Sequence, residues 1–560
     1  IVTTAPDKEL AKMHLDNIVG AFDQYSNPGI NKFKKIDIKG AKKEEEFMYD
    51  VIYRRPSLES SSILNVEELA SIYHFPNKEI TTPNINWLLA REIPASNDIS
   101  SDIKSKDTIW IGNNVFREKV KAICFQRDDR RRHSYILGQT GTGKSYLMVR
   151  MLIQDIYNGD GVCFIDPHGQ TAEMILERIP PERADDVIYF NAGDFERPFG
   201  LNILESYSEQ HKHQIVNSFI ALLIRLFDPH NQGYVGPMMQ QAVRNSMLTA
   251  MSVEGSTLIE VVRMLQDEKW VQEKWLPLIK DELVRRYWVD QVANTDAKTK
   301  SESLGYFVSK FDKFTTNLAI RNIIGQSQSS FDFRDIMDNG KILIVNLSKG
   351  AIGDENMSFL GLLLVQKLLA AALSRENVPE EQRKDFFFYA DEFQNFATDE
   401  FASILSEARK YRLNLTLAHQ YIGQLPENIK SAVFGNVGSL FITRCSNEDA
   451  QFLEPQFESY VKATDIINQS LAHYYVKMLN SNSYPSPFSL DTRYGPKYVK
   501  ETGFDIKVNT QVMEIIRKMS RLKYGRDINI VNLDINRRAD LDKKEEVKVN
   551  NPSGFPPIDF

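Results

Sequence analysis

The sequence predicts an α/β fold with a mostly parallel sheet and helices on both of its faces. Short, nearly continuous apolar runs recur along the chain, helical patterns separate them, and a Gly-rich loop joins one run to a helix. Strands buried on both faces have this apolar character, and their alternation with helices produces βαβ units. The predicted strands are Ser134–Leu137, Gly161–Ile165, Val187–Phe190, Ile342–Asn346, Phe386–Ala390, Leu413–Leu417 and Ser439–Ile442.

Bulk composition is typical of a globular chain with several domains. The chain has 560 residues, 42% of them hydrophobic, and a net charge of −7. This length predicts about three or four domains. A negative net charge excludes a uniformly basic surface, so a polyanion would need a local basic site. The three cysteines, Cys124, Cys163 and Cys445, lie far apart, which argues against a disulfide framework and fits a reducing compartment.

The first region, residues 1–106, precedes the predicted nucleotide core. Helical patterns cover Lys8–Phe22, Lys42–Val51 and Ser62–His74, and a strand-like run covers Phe33–Ile38. Ala95–Lys106 is rich in Ser and Asp without apolar periodicity, so it is predicted to be a loop. We interpret the whole region as a small accessory α/β domain with its linker.

The core is predicted in two parts, 107–204 and 326–500, around an all-helical insertion at 205–325. The insertion has helical apolar spacing, no strand-like run and three of the five tryptophans. Its predicted helices are Ile215–Phe227, Pro237–Met251, Thr257–Leu265, Val271–Val292 and Ser303–Asn317.

The last region, residues 501–560, is predicted to be a basic tail. Seven Lys and Arg residues lie between Arg517 and Arg538, against Asp527 and Asp534. Such a run favours DNA only slightly, because charged runs are more often solvated faces. The stretch from Lys543 to Phe560 is predicted to be flexible.

The Gly-rich loop has all fixed positions of a G-x-x-x-x-G-K-[ST] phosphate loop, between a strand-like and a helical segment. In such loops backbone N–H groups and the helix N-terminus bind phosphate, the lysine reaches the β- and γ-phosphates, and the hydroxyl ligates Mg²⁺. The alternative is a chance Gly-rich turn, which the strand–loop–helix context disfavours. The predicted ATP-binding residues are Gly138, Gln139, Thr140, Gly141, Thr142, Gly143, Lys144, Ser145 and Tyr146.

Two adjacent carboxylates end a later apolar strand. Asp391 and Glu392 follow Phe386–Ala390, and a parallel strand delivers them to the sheet edge that carries the phosphate loop. Asp391 is predicted to hold Mg²⁺ and Glu392 to activate the attacking water. The alternative is a strand that ends in two solvated acids, and the phosphate loop in the same chain disfavours it.

Two further residues complete the predicted catalytic set. Gln420 follows strand Leu413–Leu417, where an amide can sense the γ-phosphate or the attacking water. Arg409 lies where it reaches a neighbouring subunit's nucleotide rather than its own, so it is a candidate arginine finger in trans. The alternative is a solvated basic helix end. Arg444 is a weaker candidate for the same role.

Asp166 and His168 end strand Gly161–Ile165, either facing the nucleotide or forming a turn at Asp-Pro. No second His or Cys has metal-ligand spacing with His168, and His211 and His213 fit a solvated helix start, so no zinc is predicted. The apolar stretch Phe359–Leu373 is predicted to be a buried helix too short to span a membrane.

Five strings together resemble the HerA–FtsK superfamily of motor ATPases, above all the TraD/TraG-like DNA-coupling proteins of type IV secretion and conjugation. The strings are His133–Ser145, Gly161–Gly169, Tyr389–Asn395, Glu407–Lys410 and Ala418–Gln420. The resemblance covers roughly residues 108–450 and implies a RecA-like core.

The resemblance further implies a ring hexamer that threads DNA through a central channel, with ATP and Mg²⁺ between subunits and a membrane secretion channel as partner. By motif it gives Gln420 the sensor position and Arg409 the finger position. Typical coupling proteins have N-terminal transmembrane helices, and no such helix is evident from Ile1 onward. We expect a cytoplasmic location, at the inner face of the cell membrane if an anchor precedes Ile1.

Three functional hypotheses remain at this point. The first is a DNA translocase of the coupling type or a HerA-like DNA-processing motor. The second is a secretion or pilus-assembly ATPase that moves protein. The third, a nucleotide switch, lacks a guanine-recognition motif, since Asn77-Lys78-Glu79 has no Asp and precedes the phosphate loop.

Overall fold

A computed structural model of the chain divides into two compact units, residues 1–87 and 88–560. The structure describes residues 2–27, 29, 32–55, 62–73, 90–117, 119–206, 208–229, 232–292, 305, 308–309, 311–493 and 508–540. The predicted helix Ser303–Asn317 and the flexible stretch 543–560 lie partly or wholly outside these residues. The boundaries predicted within the second unit stay predictions.

The first unit is helical over its described residues. Its helices are Lys8–Ala21, Ala41–Ile52 and Val66–Ile72, with a 3₁₀ turn at Phe22–Tyr25. Asn65 and Glu68 form a reciprocal capping box that begins the third helix. The predicted strand Phe33–Ile38 is wrong, because this segment is irregular and no described strand lies beside it to complete a hydrogen-bonded ladder.

The second unit is built on a sheet of eleven strands in the order β2-β1-β11-β10-β9-β3-β8-β7-β4-β6-β5. The strands are β1 Thr108–Phe116, β2 Lys119–Gln126, β3 Ser134–Leu137, β4 Gly161–Asp166, β5 Val187–Asn191, β6 Ile342–Asn346, β7 Phe386–Ala390, β8 Leu413–His419, β9 Ser439–Ile442, β10 His473–Lys477 and β11 Phe488–Asp491. The run from β9 to β5 is parallel, and β10, β11, β1 and β2 extend it antiparallel.

All seven predicted strands are present, and they are the seven parallel ones. Their residues are nearly all buried, which is the pattern that made them visible in the sequence. The four antiparallel strands were not predicted. β1 and β2 contain short apolar runs at 109–111 and 122–125, but polar residues and a glycine interrupt the rest of these strands, and β10 and β11 are short and mixed in polarity.

Parallel pairing brings the carboxyl ends of the central strands to one edge. Leu137 at the end of β3 pairs with His419 of β8 and with Ile442 of β9. Ala390 at the end of β7 pairs with Ile165 of β4 and Leu417 of β8. The residues after these strands are therefore neighbours in space although they are far apart in sequence.

The helices of the second unit flank this sheet or belong to the insertion. In the core they are Arg127–Arg130, Lys144–Asn158, Gln170–Leu176, Leu318–Ile324, Phe333–Asn339, Lys349–Ile352, Asp354–Leu373, Asp399–Glu407, Glu427–Asn436, Asn447–Leu453, Ala463–Ile467, Thr510–Tyr524 and Ile528–Arg538. Short 3₁₀ turns lie at Pro181–Asp186, Ser374–Asn377, Glu380–Gln382, Phe393–Asn395, Ala408–Tyr411, Ile422–Gln424 and Glu454–Phe457.

The insertion contains helices Glu209–Phe227, Pro237–Ala250 and Leu258–Gln266, close to the predicted bounds. The single long helix predicted over Val271–Val292 is wrong. The chain instead forms Glu268–Trp270, π-turns at Val271–Trp275 and Tyr287–Val292, a 3₁₀ turn at Leu276–Leu278, and helix Glu282–Arg286. Pro277 explains the break, because its ring excludes a backbone donor from the helical ladder.

The predicted buried helix is present and longer than predicted. Asp354–Leu373 continues into a 3₁₀ turn that ends at Asn377, and thirteen residues of the helix are buried. This is the one segment of the described chain with the length and mean hydropathy of a membrane span, and 78% of its most apolar window is buried inside the unit.

The basic C-terminal segment consists of two packed helices. Thr510–Tyr524 lies along the edge strand β5, where the Tyr189 N–H donates to Ser520 Oγ at 2.7 Å. Ile528–Arg538 packs Val531 and Ile535 against Ile259 of the insertion. Three of the arginines form ion pairs within the chain: Arg517 with Glu173 and Glu514, Arg521 with Asp194 and Glu196, and Arg538 with Glu260 and Asp534.

A buried ion pair fixes the phosphate-loop helix to β7. Arg130 donates to both carboxylate oxygens of Asp155, at 2.6 and 2.7 Å, and to Tyr389 Oη at 2.9 Å. Its guanidinium lies 4.0 Å from the centre of the Phe387 ring. These contacts join helix Lys144–Asn158 to the strand that carries Asp391, so the two halves of the predicted site are held by one network.

Candidate nucleotide site

The loop 138–145 has the backbone of an anion-binding turn. Gly141 and Gly143 have φ values of 77° and 108°, in the left-handed region that favours glycine. A side chain at Gly138 has no room, because a Cβ there would lie 2.1 Å from Thr443 Cγ2. Gly138 is thus required by close packing against the end of β9, and the other two glycines by the turn itself.

Lys144 lies in the concavity of the loop. Its ammonium donates to the carbonyl oxygens of Gly138 at 2.6 Å and Gln139 at 3.1 Å. Burial lowers the pKa of Lys144, and the nearby carboxylates Asp391 and Glu392 act in the opposite direction. The charge is therefore held where phosphate oxygens would meet the loop, near both acids.

The hydroxyl of Ser145 meets the first acid directly. Ser145 Oγ donates to Asp391 Oδ2 at 2.9 Å. Asp391 is 8% exposed, and burial raises its pKa, with Glu392 and Asp166 adding in the same direction while the Ser145 hydroxyl opposes it. A buried carboxylate beside a hydroxyl supplies hard oxygen donors of the kind Mg²⁺ prefers, so the residues fit this ion.

The side chain of Glu392 points in a different direction from that of Asp391. Its backbone is left-handed, with φ and ψ both 50°, which is uncommon for a residue with a side chain and is often found at functional sites. The Gln394 amide donates to Glu392 Oε2 at 2.7 Å, and the Gln420 amide donates to Oε1 at 2.5 Å. The two amides hold the carboxylate beside the phosphate loop rather than in solvent.

His419 precedes Gln420 at the end of β8 and is fully buried. Its Nδ1 lies 2.9 Å from Tyr135 Oη, which connects β8 to β3. Burial lowers the pKa of His419 to about 4, so the ring is neutral at physiological pH. The residue positions the end of β8, and with it Gln420.

The two predicted finger candidates lie at opposite edges of the sheet. Arg409 is exposed and precedes β8, whereas the phosphate loop adjoins the other end of that strand. No described carboxylate lies within ion-pair distance of Arg409. Arg444 lies beside the phosphate loop of its own chain, where its carbonyl accepts from the Gln139 N–H at 2.8 Å. This contact places the backbone of Arg444 beside its own phosphate loop, and the finger role weighed for its side chain stays a prediction.

Asp166 has a local structural role. Its carboxylate accepts from the His168 N–H and the Ala172 N–H, both at 2.9 Å, and so caps the helix Gln170–Leu176. His168 is exposed. Gly169 is left-handed and packs on Asn346, with no space for a side chain. Of the two alternatives for this segment, the contacts fit the turn.

Three parts of the site were not assigned from the sequence. Gln394 was within a noted string but carried no predicted role, and its position two residues after Glu392 is the only signal. Ala472 donates to Thr142 O at 3.1 Å and lies against Gly143, although it is remote in sequence. Arg225 of the insertion donates to Gln394 O at 3.4 Å, which connects the insertion to the Glu392 loop.

Residues 109–367 match the family model described as "Helicase HerA, central domain". This part of the chain is similar to the HerA central domain. The match contains the phosphate loop and the whole predicted insertion, and it ends within the buried helix Asp354–Leu373, before Asp391 and Glu392.

The chain is also similar to a protein described as a type 4 coupling protein. The type 4 coupling protein DotL of Legionella pneumophila is 22% identical over 369 residues, covering 56% of this chain and 46% of DotL. The chain thus spans just under half the length of that relative. The resemblance predicted from the sequence strings is confirmed.

The chain is also similar to several solved structures. The conjugative coupling protein TrwBdeltaN70 is 17% identical with a TM-score of 0.49, covering 70% of this chain and 90% of that protein. VirB4 of Thermoanaerobacter pseudethanolicus is 13% identical with a TM-score of 0.48, covering 71% of this chain and 100% of that protein. A TrwB structure in complex with ADP and Mg²⁺ is 16% identical with a TM-score of 0.46, covering 72% of this chain and 96% of that protein.

Proposed function

We propose that this chain hydrolyses ATP with Mg²⁺ at the site built by the phosphate loop and the end of β7. The observation that carries the proposal is the contact between Ser145 Oγ and Asp391 Oδ2, with Glu392 held beside it by Gln394 and Gln420. Mg²⁺ would be held by Ser145 and Asp391 and would neutralise phosphate charge. Glu392 accepts a proton from the attacking water, and Lys144 stabilises charge on the phosphates.

Hydrolysis in this proposal takes place between subunits of a ring oligomer. Arg409 is exposed at the sheet edge away from its own phosphate loop, so it can meet a nucleotide only on a neighbouring copy. An arginine supplied in trans stabilises the charge that develops in phosphoryl transfer. The ring is taken to be a hexamer, as the family resemblance implies.

The work done is proposed to be movement of DNA, as in coupling ATPases of type IV secretion or conjugation. The support is the HerA-type family match and the similarity to a type 4 coupling protein. DNA would pass through the central channel of the ring toward a secretion channel at the membrane.

DNA-dependent ATPase assays test this proposal. The rate of phosphate release is measured with and without double- and single-stranded DNA across a salt series. We expect stimulation at low salt that declines as salt rises, because phosphate contacts release counterions. An unchanged ATPase rate at saturating DNA and low salt would reject DNA as the substrate while leaving ATP hydrolysis intact.

A protein-moving secretion ATPase is the second candidate, and one observation favours it. Arg517, Arg521 and Arg538 of the basic C-terminal segment are paired with carboxylates of their own chain, so this segment offers less free charge to DNA than its sequence suggests. ATPase stimulation by an unfolded secretion substrate, together with no response to DNA, would select this candidate.

A further inference from the structure

The outer face of helix Thr510–Tyr524 carries an apolar seam that no described residue covers. Val508, Ile515, Met519 and Leu522 are 53%, 51%, 38% and 70% exposed. The last three are spaced by four and three residues along the helix, and Val508 lies just before the helix N-cap, Asn509. This is the a/d spacing of a coiled-coil seam, about one side chain wide. We call these four residues the C-terminal seam.

The opposite face of the same helix is already used within the chain. Ile516 and Ser520 are buried, and Ser520 Oγ accepts from the Tyr189 N–H of β5. Arg517 and Arg521 pair with Glu173 and Asp194 of the core. The helix is therefore anchored, and the seam is not the face that holds it to the sheet.

The side chains that flank the C-terminal seam are basic. Lys518 lies on one side and Lys523 on the other. Neither forms an ion pair with a described carboxylate, and Lys523 adds to the effect of Lys341 in lowering the pKa of Asp335. In contrast, the arginines of the anchored face all have carboxylate partners. In helix pairs, residues at these flanking positions select the partner by charge. A partner helix with acidic flanks complements this surface.

Two other occupants fit this surface less well. A second copy paired in parallel register would place Lys518 of one copy beside Lys523 of the other, and like charges at these positions are repulsive. A lipid surface fits a helix with a broad apolar face, whereas this seam is narrow and its helix is packed on protein.

We propose that the C-terminal seam docks an amphipathic helix with acidic flanks, contributed by a partner protein. The seam residues enter holes between the side chains of that helix, and Lys518 and Lys523 pair with its acidic residues. The surface is remote in sequence from the nucleotide site, and the proposal does not depend on the function proposed above.

A designed peptide tests the proposal on the full chain. The probe is a labelled three-heptad peptide of about 21 residues with Leu and Ile at the seam positions and Glu at the flanks. A matched peptide has Lys in place of Glu. Fluorescence anisotropy should show binding of the acidic peptide and at least ~10-fold weaker binding of the basic one. Equal binding of both peptides, or of neither, would overturn the proposal.

Variants of exposed residues locate the binding. The double variant Ile515→Asp/Leu522→Asp should weaken acidic-peptide binding at least ~10-fold. The double variant Lys518→Glu/Lys523→Glu should bind the basic peptide more tightly than the acidic one. Leu283→Asp, an exposed leucine on the insertion, is the control and should bind normally. Unfolding temperatures verify that each variant folds.

Two further measurements distinguish the other occupants. Light scattering of the chain alone reports whether Leu522→Asp changes the mass of the particle, and flotation with anionic vesicles reports lipid binding. A seam-dependent self-association, or vesicle binding lost in Leu522→Asp, would overturn the proposal in favour of a second copy or a membrane. No change in either measurement, together with peptide selectivity, supports it.

Discussion

Asp391 and Glu392 are adjacent in sequence and have different surroundings. Asp391 is turned toward Ser145 and the phosphate-loop helix, whereas Glu392 is turned by its left-handed backbone toward Gln394 and Gln420. The difference separates a group suited to hold Mg²⁺ from one suited to accept a proton from water. Both are needed for hydrolysis, and binding alone would need only the first.

Substitutions at Lys144 and Glu392 should separate nucleotide binding from turnover. Lys144→Ala removes the charged donor to the phosphates and should weaken ATP binding at least ~10-fold. Glu392→Gln keeps the shape and removes the base, so ATP should bind normally while hydrolysis falls about 10²-fold or more. Fluorescent ATP binding and phosphate release measure the two effects.

Lys349→Ala, an exposed lysine paired with Asp354 outside the site, is the matched control and should leave both quantities unchanged. Hydrolysis at the wild-type rate in Glu392→Gln would contradict the role given to this carboxylate.

His133 should make stability depend on pH. Its ring is buried, Nδ1 accepts from the Leu415 N–H, and Nε2 donates to Leu405 O. Burial lowers the pKa of His133 from 6.5 to about 4. Between these values the unfolded chain binds more protons than the folded chain, so stability falls as the pH falls through this window, by up to about 1.4 kcal/mol per pH unit.

Calorimetric unfolding temperatures across that window check this effect. His133→Asn retains an acceptor and tolerates the left-handed backbone, with φ of 63°, and should make the pH dependence shallower. His168→Asn, at an exposed histidine, should leave the dependence unchanged. Equal slopes in wild type and His133→Asn would show that other groups cause the pH dependence.

At the scale of elements, the outer edge of β5, the last of the parallel strands, needs to be covered. β5 is the final strand, and an open edge strand presents unpaired backbone groups that can recruit other chains. Helix Thr510–Tyr524 covers this edge through Ser520 and through the ion pairs of Arg517 and Arg521. The basic segment thus stabilises a core strand that lies more than 300 residues before it in the sequence.

Ser520→Ala should loosen this edge. The Tyr189 N–H would lose its acceptor in a buried place, at a cost of roughly 1–3 kcal/mol. Hydrogen exchange of the β5 amides should quicken, and the unfolding temperature should fall. Lys518→Ala, two residues away on the exposed face, should change neither by much. Unchanged exchange at Tyr189 would show that the contact does not protect the edge.

At the scale of the whole molecule, the proposed catalytic site would be completed by a second copy. Every proposed catalytic group except Arg409 lies at the carboxyl edge of the parallel strands, and Arg409 lies at the amino end of β8. A ring that places the amino edge of one subunit on the carboxyl edge of the next brings the two parts together.

Mixing two inactive variants tests this arrangement. Arg409→Ala should bind ATP without hydrolysing it because the arginine finger is lost. Glu392→Gln should also bind ATP without hydrolysing it because the general base is lost. In mixed oligomers, an Arg409→Ala subunit has an intact Glu392 and can receive Arg409 from its Glu392→Gln neighbour. Phosphate release should therefore reappear on mixing. No recovery at any ratio would contradict the in-trans role.

The central strands could be predicted because their environment determines their composition. Strands such as β6 and β7 are covered on both faces, so nearly every residue must be apolar. The antiparallel strands β1, β2, β10 and β11 form the outer part of the sheet and retain polar residues. The β1–β2 and β10–β11 pairs are local, whereas the β1–β11 pair joins segments more than 300 residues apart. Long-range pairing of mixed strands leaves no local pattern in the sequence.

The sequence by itself determined the phosphate loop, the parallel core and the identity of Asp391, Glu392 and Gln420 as candidates, because glycine geometry, charge and burial act locally. Tertiary structure alone decided which of these groups touch. In the folded chain Gln394 donates to Glu392, and the Arg444 carbonyl accepts from the phosphate loop. The C-terminal arginines pair with core carboxylates. Contacts between residues distant in sequence depend on the sheet order, which no single segment encodes.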